Sequence, residues 1–190
     1  MIFGSYLYLK DDLPSVETLK DVRLQTPMRV FSQDGELISQ FGEKRSIPLK
    51  IDEIPPLLIK AVLATEDARF YEHPGIDVIG VLRAFTVVVA TGEPTQGAST
   101  ITQQLARLFF LSREKKIIRK VKEAFLAIHI EELLSKDEIL ELYLNRIELG
   151  QRAFGVGAAA QVYFGKNIQD LTLSEIAIIA GLPQAPSVLN

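Results

Sequence analysis

Beyond Pro55 almost every apolar residue of this chain recurs at helical spacing, while a two-residue alternation marks the stretch Met28 to Phe41. Side chains share a face about every 3.6 residues on a helix and every second residue on a strand, so this patterning predicts a mainly α domain preceded by a small β element. Asp34-Gly35 lies within the alternating stretch and reads as a hairpin turn, because glycine supplies the positive φ a tight turn demands. Pro55 and Pro56 suit a helix N-terminus. Leu57, Leu58, Ala61, Val62 and Ala64 then form an apolar stripe that brings Glu66 to the helix's C-terminal end. Ser135-Lys-Asp-Glu138 and Thr172-Leu-Ser-Glu175 both carry the capping-box pattern, so helices should begin there. Gly92 to Gly97 (GEPTQG) is the clearest break, and there is no internal repeat or low-complexity tract.

Composition narrows the function classes. A chain of 190 residues with 47% hydrophobic residues can bury about 70% of its unfolded surface, enough for one main domain with a small appendage. A formal charge of −3 argues against a nucleic-acid partner held by global positive charge, so any anion site must be local. The absence of cysteine excludes disulfides, thiolate catalysis and cysteine zinc sites, and two histidines are too few for a histidine metal cage. Met1 to Leu9 is mostly apolar but about half the length of a membrane helix. It reads either as an ordinary apolar N-terminus or as the outer end of a membrane anchor. Leu182 to Asn190 stops inside a proline-rich segment, which suggests a fragment of a longer protein.

Three polar blocks stand out against the helical background. The first, Glu66 to Gly75 (EDARFYEHPG), opens on two adjacent acids. Neighbours on a helix point about 100° apart, so the pair makes a poor carboxylate dyad or metal clamp, and one of them at most faces a reacting group. Glu66 is the better placed, since a carboxylate partly desolvated at a helix end can serve as a general base. The same two residues also read as a solvated helix end with Arg69 as ion-pair partner, with Phe70 and His73 wedging the turn that Pro74-Gly75 completes. The second block, Gly97 to Arg107 (GASTITQQLAR), reads as a two-faced helix: Ile101, Leu105 and Leu108 on the buried side, Thr100, Gln103, Gln104 and Arg107 on the other. Amides, hydroxyls and a guanidinium in a row can bind a sugar and an anion, or be plain solvated surface, and Ser99 can be simply the N-cap. The third block crowds Arg113, Lys115, Lys116, Arg119, Lys120 and Lys122 into ten residues, with Lys115, Arg119 and Glu123 on one helical face and Lys120 beside them. Exposed ion pairs contribute only about 0–1 kcal/mol, so stability explains this density poorly and phosphate binding explains it better, although a charge run is also the usual composition of a solvated face. Ser112-Arg-Glu-Lys115 matches a serine-x-x-lysine pattern by chance, without its SDN and KTG partners, and no Walker A loop, HExxH helix or GxSxG elbow is present.

EDARFYEHPG, GASTITQQLAR, RKVKEAFLAIHIEE and KDEILELYLN (Lys136 to Asn145), in this order, resemble the successive motifs of the peptidoglycan glycosyltransferase family, the transglycosylase module of class A bifunctional penicillin-binding proteins. The resemblance implies a lysozyme-like α fold and polymerisation of lipid II into glycan strands, with inversion at the donor's anomeric carbon and release of undecaprenyl diphosphate. By the same resemblance Glu66 is the catalytic base and Glu123 the second essential acid. Ser99, Thr100 and Gln104 touch substrate, Arg107, Lys115, Arg119 and Lys120 face the diphosphate, and Asp67 is a required acidic neighbour grouped with the substrate contacts. A divalent cation such as Mg2+ near Glu66 or Glu123 belongs to the same expectation, and no organic cofactor does. The family pattern has Lys-Asn where this chain has Arg107-Leu108, which keeps the charge but alters its geometry.

The implied organisation is residues 1–10 as the remnant of an anchor, 11–50 as linker and hairpin, and 51–190 as the glycosyltransferase domain, cut short at its end and lacking a transpeptidase domain. The implied location is the outer, periplasmic face of the bacterial inner membrane, with lipid II, the growing strand, the lipid surface and other cell-wall synthesis proteins as partners. Ile76 to Val89 and Leu108 to Leu111 read as core helix and helix end. A polymerase of lipid-linked sugars must also present an apolar surface to the bilayer, and Phe109 and Phe110 are the candidates for it. A lysozyme-like lytic enzyme and a non-catalytic module are the alternatives.

Overall fold

The computed structural model describes residues 14–21, 28–35, 37–41, 45–92, 99–111 and 116–184. Lys115, Ser112 and the two chain ends, 1–13 and 185–190, lie outside the described residues, so the expectations attached to them receive no structural account. Seven α-helices carry the described chain: α1 Pro56–Glu66, α2 Val78–Thr91, α3 Ile101–Phe110, α4 Lys116–Leu133, α5 Lys136–Arg146, α6 Val156–Phe164 and α7 Leu173–Gly181. The protein is mainly α, as the periodicity required. Two compact units are formed, Met1–Val22 with Glu66–Tyr143 and Arg23–Thr65 with Leu144–Asn190.

In the first unit α3 packs along α4, which also packs against a 3₁₀ turn at Val16–Asp21. Ile101, Leu105 and Ala106 of α3 and Leu126, Ala127 and Ile130 of α4 are buried. Phe70, within the short 3₁₀ turn Phe70–Glu72, is 1% exposed, and Lys136 sits 4.3 Å over its ring. The Lys136 ammonium also donates to His73 O at 2.7 Å and to Glu131 Oε1 at 2.8 Å, while the Thr102 hydroxyl donates to that same Glu131 oxygen at 2.6 Å. Gly75 is required here for two reasons. Its φ is +87°, and a Cβ on it would lie 2.8 Å from the backbone oxygen of Ala127 on α4.

Helix α2 departs from expectation. The Asp77 side chain caps it by accepting from Gly80 N–H at 2.9 Å, and Gly92 ends it at φ 71°. None of its residues is buried, so the reading of Ile76 to Val89 as core helix is corrected: Ile79, Leu82, Phe85 and Val89 are 59–70% exposed. Apolar residues around a whole helix circumference state that the helix prefers an apolar environment, not that the protein supplies one.

In the second unit β1 (Met28–Phe31) and β2 (Leu37–Phe41) form the expected antiparallel hairpin, pairing Met28 with Phe41 and Phe31 with Leu37, and Gly35 has φ 86°. A further pairing was not legible in the sequence. β3 (Arg45–Ser46) runs parallel to β4 (Ala153–Phe154), two residues each, and the Asn145 side chain extends it by accepting from Leu49 N–H at 2.8 Å and donating to Leu49 O at 2.7 Å. Strands this short and this far apart in sequence leave no periodic signal.

Candidate active site

Each of the described site candidates except the two aromatic ones is positioned by the first unit's α1 end, the first turns of α3 and the middle of α4. Glu66 is the last residue of α1 and is half-buried. Its Oε2 accepts a 2.7 Å bond from Gln104 Nε2, while its Oε1 is buried with no hydrogen-bond partner. Gln104 is held in turn by the Tyr143 hydroxyl, which donates to Gln104 Oε1 at 3.2 Å. Burial, together with the charges of Glu66 and Asp67, pushes the Tyr143 hydroxyl well above the usual phenol range, against a smaller opposing pull from Arg107.

Asp67 has a different environment. Its side chain is 4% exposed and pairs with His73, whose Nε2 lies 3.0 Å from Asp67 Oδ1, and Asp67 Oδ2 also accepts from Ile101 N–H at 3.0 Å. One carboxylate therefore ties the turn after α1 to the first N–H groups of α3, where a negative charge is favoured by the helix dipole. Both oxygens of Asp67 are thus engaged within the protein. Arg69 pairs with Glu72 and Asp77, each at 3.3 Å, rather than with Glu66 or Asp67, so the solvated helix-end reading does not describe this site.

The N-cap of α3 is Thr100, not Ser99. Thr100 and Gln103 form a reciprocal capping box, and the Thr100 hydroxyl donates to Gly75 O at 2.6 Å. The Thr-x-x-Gln spacing of this box is visible in the sequence, and Gln103, which periodicity places on the polar face, is 4% exposed. Ser99 instead accepts from Lys120 Nζ at 2.6 Å. Arg107 stands exposed one turn along α3 from Gln103 and Gln104.

On α4, Glu123 is 2% exposed and carries the two expected cations: Arg119 Nε at 3.5 Å from Oε1 and Lys120 Nζ at 3.1 Å from Oε2. Lys120 also reaches Gln103 Oε1 at 3.3 Å. Gln103 and Gln104, adjacent on α3, thus hold the Glu123–Lys120 pair and Glu66 respectively. The side chains of Arg119 and Lys120 stay 29% and 48% exposed, so both keep donors available to an incoming anion.

Residues 34–190 match the family model described as transglycosylase. The chain belongs to the transglycosylase family. Penicillin-binding protein 1A of Vibrio cholerae serotype O1 is 70% identical over 189 residues, 100% of this chain and 23% of that protein. The protein of the same name from Escherichia coli strain K12 is 65% identical over 189 residues, 100% of this chain and 22% of its own length. The crystal structure of penicillin-binding protein 1A from Haemophilus influenzae is 37% identical, covering 89% of this chain and 16% of that one, with a TM-score of 0.45; family membership rests on sequence. This transglycosylase chain spans under a quarter of the length of those first two relatives.

Glu123 already has a cation at each carboxylate oxygen, a donor set suited to an anion, and among the described residues no group of three or more His, Cys, Asp or Glu is arranged to hold a metal ion. The residues near Glu123 therefore do not fit a divalent cation. Phe109 and Phe110 are half-buried, their ring centroids 6.2 Å apart, whereas Val78, Ile79, Leu82, Phe85 and Val89 of α2 are exposed. Among the described residues no helix is long and apolar enough to cross a membrane.

Proposed function

We propose that this chain is a peptidoglycan glycosyltransferase that polymerises lipid II at the outer face of the bacterial inner membrane, with Glu66 as general base. The observation that carries the reading is the division of labour within one carboxylate: Gln104 holds Oε2, and Oε1 is buried and unpartnered. An oxygen desolvated in this way is a proton acceptor in waiting, and a positioned base of this kind contributes about 10²–10⁴ in rate. In the proposed reaction Glu66 Oε1 takes the proton of the acceptor's 4-hydroxyl as that oxygen attacks the donor's anomeric carbon. The bond from that carbon to undecaprenyl diphosphate breaks with its electron pair on the leaving oxygen, and configuration inverts from α to β.

The leaving diphosphate needs fixed positive charge, and the partly exposed Arg119 and Lys120, held at set positions by the buried Glu123, support that role. Arg107, exposed on the same unit, supports a further contact. The apolar exterior of α2 supports contact with a lipid surface, where a lipid-linked substrate resides.

The test is polymerisation of lipid II by membrane-anchored wild type and Glu66→Gln, resolved by glycan length on a gel. Polymer from wild type and a loss of at least about 10²-fold in Glu66→Gln is the expected outcome. Cleavage of finished glycan by wild type, with activity surviving charge reversal at Arg119 and Lys120, would instead identify a lytic enzyme, and activity intact in Glu66→Gln would remove Glu66 as base.

A further inference from the structure

We propose that Tyr143 is a positioning residue for Glu66, acting through the side-chain amide of Gln104. The inference rests on the reading of Glu66 as base. Tyr143 lies on α5 and is fully buried, between Leu140 and Leu144 in sequence, where a phenylalanine would fill nearly the same volume. A hydroxyl buried in such a place is costly unless bonded, so its 3.2 Å hydrogen bond to Gln104 Oε1 accounts for the choice of tyrosine.

The chain Tyr143 to Gln104 to Glu66 has one self-consistent polarity. The carboxylate of Glu66 only accepts, so at 2.7 Å it must face the amide NH2 of Gln104. That leaves the amide oxygen toward Tyr143, whose hydroxyl must then donate. Burial and the nearby carboxylates hold that hydroxyl in its protonated form far above neutral pH, so the donor persists wherever Glu66 is charged.

The consequence concerns rotation. The terminal torsion of glutamine is broad and roughly two-fold, and nothing in the amide itself selects one orientation. A flipped amide would set its oxygen against the Glu66 carboxylate and lose that bond, and the Tyr143 hydroxyl would have to turn from donor to acceptor to keep its own. Without the hydroxyl, the amide is restrained at one end only, the Glu66 carboxylate is freed to turn, and Oε1 no longer faces a fixed direction. Tyr143 therefore supplies orientation to the base without touching substrate. Because the bonds span 39 and 38 positions in sequence, the relay joins α5, α3 and the end of α1 within the first unit.

Tyr143→Phe in the full-length chain, assayed with lipid II, tests this together with the 15N–1H side-chain amide signals of Gln104. The expected result is a fall in kcat of about tenfold with KM within about twofold, because orientation of the base matters in the transition state and little in substrate binding. The Gln104 amide protons should move towards the shifts of a solvent-exposed glutamine. Tyr71→Phe, which removes an exposed hydroxyl that donates to Asp137, should change neither. An unchanged kcat with unchanged Gln104 signals overturns the proposal. So does a parallel loss of kcat, substrate affinity and melting temperature with the amide signals in place, since that describes a packing defect. The amide signals need no turnover, so a wild type that fails to polymerise lipid II counts against the proposed function while the signals still decide the role of Tyr143.

Discussion

Glu123 is the residue whose surroundings are most demanding. With its side chain 3% exposed, it meets Arg119 at one carboxylate oxygen and Lys120 at the other. Removing a single cation leaves a partner. Removing both, in Arg119→Ala with Lys120→Ala, strands a buried charge, and the expected cost is about 3 kcal/mol in urea unfolding, where the half-exposed lysine alone should cost under about 1 kcal/mol. Adding Glu123→Gln to the double variant should recover most of the loss; a triple variant less stable than the double would show that Glu123 contributes by packing rather than as a charge.

Helix α3 illustrates how an element's start fixes a site. Thr100 closes the capping box with Gln103 and anchors the cap to Gly75, and Asp67 accepts from the first N–H of the helix. Thr100→Ala removes the cap and the Gly75 bond together, with an expected loss of about 1–2 kcal/mol by thermal unfolding. Ser99→Ala, one residue earlier, should stay within about 0.5 kcal/mol of wild type. Equal losses in the two variants would place the cap elsewhere. Much of this element was legible: the apolar positions Ile101 and Leu105, the hydroxyl at the start and the polar row including Gln104 are local features of the sequence. The Thr100-x-x-Gln103 spacing of the capping box is local too, whereas the burial of Gln103 and the partners of the two hydroxyls, Lys120 for Ser99 and Gly75 for Thr100, come from distant segments.

At the scale of the whole molecule, the apolar surface of α2 is the feature that folding leaves unspent. Val78, Ile79, Leu82, Phe85 and Val89 are all more than half exposed, a stripe better explained by an apolar environment outside the protein than by the fold itself. Phe85→Ser with Val89→Ser should lower partitioning into phosphatidylethanolamine–phosphatidylglycerol vesicles by at least about tenfold, from the apolar area lost at the two positions. The same pair should leave the melting temperature unchanged, because neither side chain is buried. Phe109→Ser with Phe110→Ser, on a half-buried pair, is expected to lower stability first. Vesicle binding unchanged by the α2 pair would end the case for that helix as the lipid contact.

The sequence by itself determined the mainly α character, the hairpin around Gly35, the two capping boxes at Ser135 and Thr172, and the arrival of Glu66 at a helix end. Each of these is written in residues a few positions apart, and helical or strand period is a local property. Tertiary structure alone decided which polar groups far apart in sequence found each other. Lys120 bonds to Ser99 across 21 positions, Gln104 to Glu66 across 38, and Asn145 clamps Leu49 across 96. It also decided that Asp67 faces inward and that α2 faces outward. Those outcomes depend on what the folded chain brings within bonding distance, and residue type at one position does not encode the neighbour that a distant segment will provide.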